Sequence, residues 1–196
     1  MNKTRNEVLN LVYMAFYVAL SLVLTYLNEL FPIIQMPNGG SLEYAVIACF
    51  VASYHLGWVR GVIVSLLSWV IGTFFGLHYF YVGPMQIALD YVIPYGLLGL
   101  ASLFPRIKLG NFTISNIYTG IVGCMFLKYA SHVLAGVYFW FPAGEAAGSL
   151  GAWIYSAWTY NLAYNLLTLA VALIITPILI YSVRRLHTVK FVGIKD

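Results

Sequence analysis

Long apolar runs alternate with short polar breaks along this chain, and most runs lack the regular polar face of a helix half-buried in a soluble protein. Crossing about 30 Å of hydrocarbon at about 1.5 Å per residue takes roughly 20 residues of helix. The pattern predicts helices over about 8–28, 42–56, 59–76, 84–104, 113–140 and 150–183. Breakers fall between them. Phe31-Pro32 and Met36-Pro37-Asn38-Gly39-Gly40 follow the first, Gly57 to Gly61 marks a tight turn after the second, and Gly83-Pro84 opens the fourth. Phe104-Pro105 through Gly110-Asn111 ends the fourth, and Phe141-Pro142-Ala143-Gly144 ends the fifth. No linker is long enough to separate domains, so residues 1–196 read as a single membrane domain. The expected fold is an all-α integral membrane protein with six transmembrane helices.

Composition removes the soluble alternative. Apolar and aromatic residues make up 62% of the chain and charged residues 8%, against about 25% charged in an average soluble domain. The mean hydropathy is +0.86. The basic residues then orient the helices, because cytoplasmic loops retain Lys and Arg. Lys3 and Arg5 precede the first helix, Arg60 lies between the second and third, and Arg106 and Lys108 lie between the fourth and fifth. Arg184, Arg185, Lys190 and Lys195 follow the sixth. With six spans all of these fall on one side, while the opposite loops hold Glu29, His78 and Glu145, so both termini are expected to be cytoplasmic. The apolar run from Val8 to Leu27 lacks a small-residue cleavage pattern and reads as a retained helix. Scattered basic residues exclude a nucleic-acid partner, and Cys49 and Cys124, both inside apolar runs, have no metal or redox spacing.

Three charges are not explained by topology. Lys128 lies well inside the fifth helix, Glu43 near the outer end of the second, and Asp90 on the fourth. Each costs about 2.5–3.5 kcal/mol at mid-membrane, so they require partners or a polar cavity. An ion pair between Lys128 and one carboxylate leaves the other over, a net charge of −1 suited to a cationic ligand. Helical spacing puts Lys128 with His132, Gln86 with Asp90, Tyr160 with Tyr164 and Asn161 with Asn165 on shared faces. Glu43, Asp90, His132, Trp140 and Tyr160 then fall at one depth in the outer halves of four helices. Aromatic rings with carboxylates suit a flat, positively charged heteroaromatic ligand, since a cation–π contact supplies about 0.5–2 kcal/mol. The chain has no phosphate-binding loop, no His-Glu-x-x-His and no Gly-x-Ser-x-Gly. No cofactor or metal is expected, and a binding subunit that takes its energy from a partner fits better than an enzyme.

These residues resemble the thiamine-specific substrate-binding component (S component) of energy-coupling factor (ECF) transporters of prokaryotes. The resemblance rests on Met36-Pro37-Asn38-Gly39-Gly40-Ser41, on Gln86 to Tyr91, on Leu127-Lys128-Tyr129 through His132 with Ala135-Gly136 and Phe139-Trp140, and on Tyr160 to Asn165. It implies a multi-pass protein of the prokaryotic cell membrane that binds thiamine from outside and works with a transmembrane coupling subunit and two ATPase subunits. It assigns binding roles to Glu43, Asp90, His132, Trp140, Tyr160 and Asn165, with Lys128 and Tyr91 organising the site. Trp69 and Tyr79 correspond to further aromatic positions, and Ala15 and Ala19 to a small-residue motif for docking on the coupling subunit. Small side chains let helices approach closely in lipid, which gives that motif a physical basis. Two other readings remain open: an S component for another vitamin or a pyrimidine precursor, and an intramembrane enzyme using His132 with Asp90 or Glu43. A structural membrane protein, its polar residues acting only between helices, is a third.

Overall fold

The computed structural model describes residues 3–37, 39–77, 80–185 and 189–195, which form six helical rods. They are α1 (Lys3–Leu30), α2 (Ala45–Leu56), α3 (Trp58–Phe74), a rod of α4 (Pro84–Ile87) and α5 (Ile93–Gly99), then α6 (Asn116–Phe139), and a rod of α7 (Leu150–Ile154) and α8 (Leu162–Arg185). In each composite rod the two α-helices are joined by a wider π-helical stretch, Ala88–Val92 in one and Tyr155–Asn161 in the other. Among the described residues three helices are both long and apolar enough to cross a membrane: Thr4–Leu30, Asn116–Phe139 and Leu150–Arg185.

α2 sits in the middle. All of its residues are buried, which matches a helix apolar on every side. It packs between α1 and α3, and also against α5 and α8. Its last residue leads into Gly57, whose φ of 85° allows the reversal into α3 within one residue. The core is built from Phe50, Tyr54, Val64, Leu98, Ile117, Ile121 and Ile180, all below 2% exposed, whereas the outward faces of α1, α3 and α6 expose Val12, Phe16, Ile63 and Phe126. An apolar exterior around an apolar core is the arrangement expected in lipid.

One end of the bundle holds the α2–α3 turn, the start of α6 and residues 191–195. Val192 N–H donates to His55 O (3.2 Å), Gly193 N–H to Tyr54 O (2.8 Å) and Lys195 N–H to Asn116 Oδ1 (3.1 Å). The opposite end carries the loop after α1 and the loop before α4, where Gly39 lies against Phe80.

The structure corrects the all-helical expectation at one place. Residues 107–114 form an antiparallel hairpin, β1 (Ile107–Leu109) with β2 (Phe112–Ile114), so the expected helix over 113–140 begins at Asn116. Ser115 stops it there, its Oγ accepting from Ile117 N–H at 3.3 Å as an N-cap. Helix two begins at Ala45 rather than near 42, which leaves Glu43 in the irregular segment that caps the bundle.

Candidate functional site

A cavity of about 600 Å³ opens at the end opposite the C-terminus, among α1, α2, the π stretch before α5, α6 and the π stretch before α8. Its walls include Glu43, Asp90, Tyr91, Lys128, His132, Trp140 and Tyr160. These come from distant segments, and Lys128 and Glu43 hold them together. Lys128 is only 1% exposed, and its Nζ donates to Glu43 Oε1 at 2.7 Å and to Asn165 Oδ1 at 3.4 Å. Glu43 is positioned further by its backbone N–H, which donates to Thr168 Oγ1 at 3.2 Å.

Asp90 has a different environment. Its Oδ2 accepts from Gln86 Nε2 at 2.6 Å and from Trp140 Nε1 at 2.8 Å, both neutral donors. The Gln86 amide has only one workable orientation, because its Oε1 accepts from Val82 N–H (3.1 Å) while its Nε2 also donates to Phe80 O (3.0 Å). By formal count Glu43, Asp90 and Lys128 sum to −1, at a position lined by aromatic rings. Trp140 stands at the end of α6 and meets Phe80 edge-on, with ring centres 6.3 Å apart.

Local backbone chemistry explains why Asp90 faces inward. In the π stretch the Ile93 N–H bonds to Ala88 O, one residue further back than in an α-helix. The next donor would be Pro94, which has no N–H, so Leu89 C=O is left without a helical partner. Ser131 Oγ on α6 donates to it at 2.6 Å. The second π stretch is stabilised in the same way from the side. Ser156 Oγ donates to Val133 O (2.7 Å), Tyr129 OH to Ala157 O (2.7 Å), and Asn161 Nδ2 to Ser156 O (3.0 Å) and His132 O (3.3 Å).

Those carbonyls fix more than the backbone. They commit the Asn161 amide nitrogen, so its Oδ1 must be the acceptor for Tyr164 OH, at 2.5 Å. The single Tyr164 hydroxyl proton is thereby used. His132 Nδ1, 2.9 Å from that oxygen, must donate to it, so a neutral His132 carries its proton on Nδ1. Gly40 lies over this pair: a Cβ there would come within 2.7 Å of Tyr164 Cε1 and 3.2 Å of Tyr160 Cε1. Only glycine lets the loop after α1 close so tightly over the aromatic wall.

Three candidates from the sequence stand elsewhere. Asn165 is behind the wall, donating through Nδ2 to Asn161 O (2.9 Å) and accepting from Lys128. Trp69 stacks on Tyr91 with centres 6.0 Å apart and planes 3° from parallel, supporting that ring from outside the cavity. Tyr79 lies outside the described residues. Tyr91 itself is pinned by its hydroxyl, which donates to Phe80 O (3.0 Å) and accepts from Phe80 N–H (2.8 Å). Ala15 and Ala19 are both exposed, on the outward face of α1 beside Leu11, Val12 and Phe16.

The sequence reading did not single out the α1 contribution to the cavity, which comes from Thr25, Tyr26, Asn28 and Glu29, nor Tyr44 and Tyr95. Asn28 is tied to the covering loop, its Nδ2 donating to Ser41 Oγ at 3.0 Å. A polar Asn-Glu pair closing an otherwise apolar helix was the available signal.

Comparison with known proteins gives the family. Thiamine transporter ThiT of Bacillus subtilis (strain 168) is 27% identical over 197 residues, covering 95% of this chain and 97% of that protein. The solved structure of ThiT from Listeria monocytogenes superposes with a TM-score of 0.65 at 19% identity, over 92% of this chain and 98% of that one, so the two share a fold. The sequence profile of the thiamine transporter protein family matches residues 11–188, nearly the whole chain, and this protein belongs to that family.

Proposed function

We propose that this chain is the membrane-embedded thiamine-binding S component of an ECF-type uptake system. It crosses the prokaryotic cell membrane six times with both termini in the cytoplasm and the cavity facing outward. The observation that carries the proposal is the pairing of Asp90 with neutral donors beside an already neutralised Glu43–Lys128 pair. Thiamine supplies what that arrangement lacks, a permanent positive charge on a flat ring, together with an aminopyrimidine whose N–H groups suit carboxylate acceptors.

In this reading Trp140 and Tyr160 provide aromatic faces, Asp90 and Glu43 provide negative charge and acceptors, and His132 is a polar ring held by Tyr164. Lys128, Asn165 and Trp69 act mainly by holding Glu43 and Tyr91 in place. The proposed topology is supported by nine of ten basic residues, which lie at the chain ends and in the inter-helix connections on one side. Energy comes from a transmembrane coupling subunit and two ATPase subunits, and the exposed Ala15 and Ala19 on α1 offer a close-approach surface for the coupling subunit.

Titration of the purified protein with thiamine, read by tryptophan fluorescence, is the direct test. Trp140 donates to Asp90 in the wall, so binding is expected to quench emission saturably at micromolar or lower ligand. A flat signal confirmed by calorimetry removes the substrate assignment. Competition by a hydroxymethylpyrimidine at equal strength would move it to a precursor.

A further inference from the structure

We infer that the β1–β2 hairpin is an interfacial anchor, and that its occupant is the anionic lipid surface at the end of the bundle away from the thiamine cavity. The register pairs Ile107 with Ile114, Lys108 with Thr113 and Leu109 with Phe112. Paired residues share a face and faces alternate along a strand, so Ile107, Leu109, Phe112 and Ile114 form one apolar face and Lys108 and Thr113 the other. Among the described residues the turn end of that face is uncovered, while Ile114 at its base is half-buried. Leu109 is 61% exposed and Phe112 67%, and the strands pack chiefly on each other.

A lone two-stranded hairpin is marginal in water and gains stability by laying its apolar side on something. Chain connectivity limits what that is. β1 begins four residues after the turn Ala101–Leu103, and β2 ends two residues before α6, so the hairpin stays at the level where the helix ends leave the hydrocarbon. Arg106 directly precedes β1 and Lys108 projects from the opposite face, both exposed, and neither pairs with a described carboxylate. An apolar face on one side with basic side chains at its edge and on its back matches the acyl–headgroup boundary of a membrane containing acidic phospholipid. The Leu109-Gly110-Asn111-Phe112 turn, with Gly110 at φ 60°, brings Leu109 and Phe112 together at the tip, where insertion is deepest. The inference rests on the membrane reading given above but does not depend on the ligand.

The test uses the full chain in lipid nanodiscs with a polarity-sensitive fluorophore on Phe112→Cys, or on Lys108→Cys for the opposite face. Cys49 and Cys124 are fully buried and do not compete for label. In nanodiscs containing phosphatidylglycerol, emission from position 112 is expected to be blue-shifted relative to position 108. The shift should shrink in pure phosphatidylcholine or at high salt. Arg106→Gln with Lys108→Gln, carrying the label at 112, should lose the phosphatidylglycerol-dependent part of the shift. Equal emission from the two positions in every lipid overturns the proposal, and so does a shift at 112 that appears only after coupling subunits are added. Thiamine quenching of the same samples reports folding and the cavity separately, so loss of ligand binding with a retained lipid shift counts against the function and leaves the anchor standing.

Discussion

Replacing Asp90 with asparagine separates charge from shape in the cavity. The Asn Oδ1 can still accept from Gln86 and Trp140, whose donors stay where they are, so the variant loses the negative charge and little packing. Thiamine affinity is expected to fall more than tenfold, about 1.4 kcal/mol or more, in calorimetric titration, with a nearly unchanged melting temperature. Lys128→Met has the opposite profile. It leaves Glu43 beside the cavity without its cation and is expected to lower stability by roughly 2–3 kcal/mol, toward the lower side for broken buried pairs because Glu43 keeps some water access. Thermal unfolding with and without Glu43→Gln checks this, since removing both charges should recover part of the loss. The sequence showed that these residues had to meet, because intramembrane charges without partners are too costly. It did not show which carboxylate Lys128 chooses. That choice depends on Glu43 leaving the helix before Ala45, and a periodicity argument extends α2 past that point.

At the scale of elements, the two π stretches explain both the successes and the errors of face assignment. Counting at 3.6 residues per turn assumes an unbroken α-helix, and each wide turn advances the chain by one residue, about 100° of rotation. Asp90, Tyr160 and Asn161 sit within these stretches, whereas Asn165 lies beyond one and turns behind the wall. Pro94 was the legible sign of the first, since a proline just after Asp90 deprives a carbonyl of its partner. Pro94→Ala restores an N–H that can donate to the Asp90 carbonyl four residues back, the bond of a regular α-helix, and so favours unwinding the π stretch into one. Weaker thiamine binding, by more than about fivefold, is expected from a rotated Asp90, without loss of thermal stability, since alanine is the better helix former. Fluorescence titration and melting curves of the same preparation distinguish this from simple misfolding. The hairpin was missed for a different reason. Phe112-Thr113-Ile114 is a short alternating segment next to a helix, and periodicity over three residues cannot tell strand from helix, whereas the Ser115 cap can.

On the scale of the whole molecule, the cavity and the C-terminal tail occupy opposite ends of the bundle, which makes them energetically separable. The tail returns across the ends of α2 and α6: Phe191 and Ile194 pack against the core, and Asn116, fully buried, bonds to both Gly193 O (2.8 Å) and Lys195 N–H. Lys195 Nζ also donates to Leu103 O (2.7 Å) and Phe104 O (3.1 Å), carbonyls left open where the fourth rod ends. Deleting residues 189–196 removes this cover and is expected to lower the melting temperature. The thiamine Kd should stay within about twofold, because sites without shared partners act independently. Saturating thiamine should then restore stability in both forms by the same increment, about 4 kcal/mol at a thousandfold excess over Kd, since the linkage depends only on affinity for the folded state. A truncated protein that is destabilised and also binds thiamine tenfold more weakly would show that the bundle transmits strain from one end to the other. α6, which runs from Asn116 under the tail to Lys128 and His132 in the cavity wall, and the fully buried α2, in contact with α1, α3, α5 and α8, are the elements that would carry such coupling.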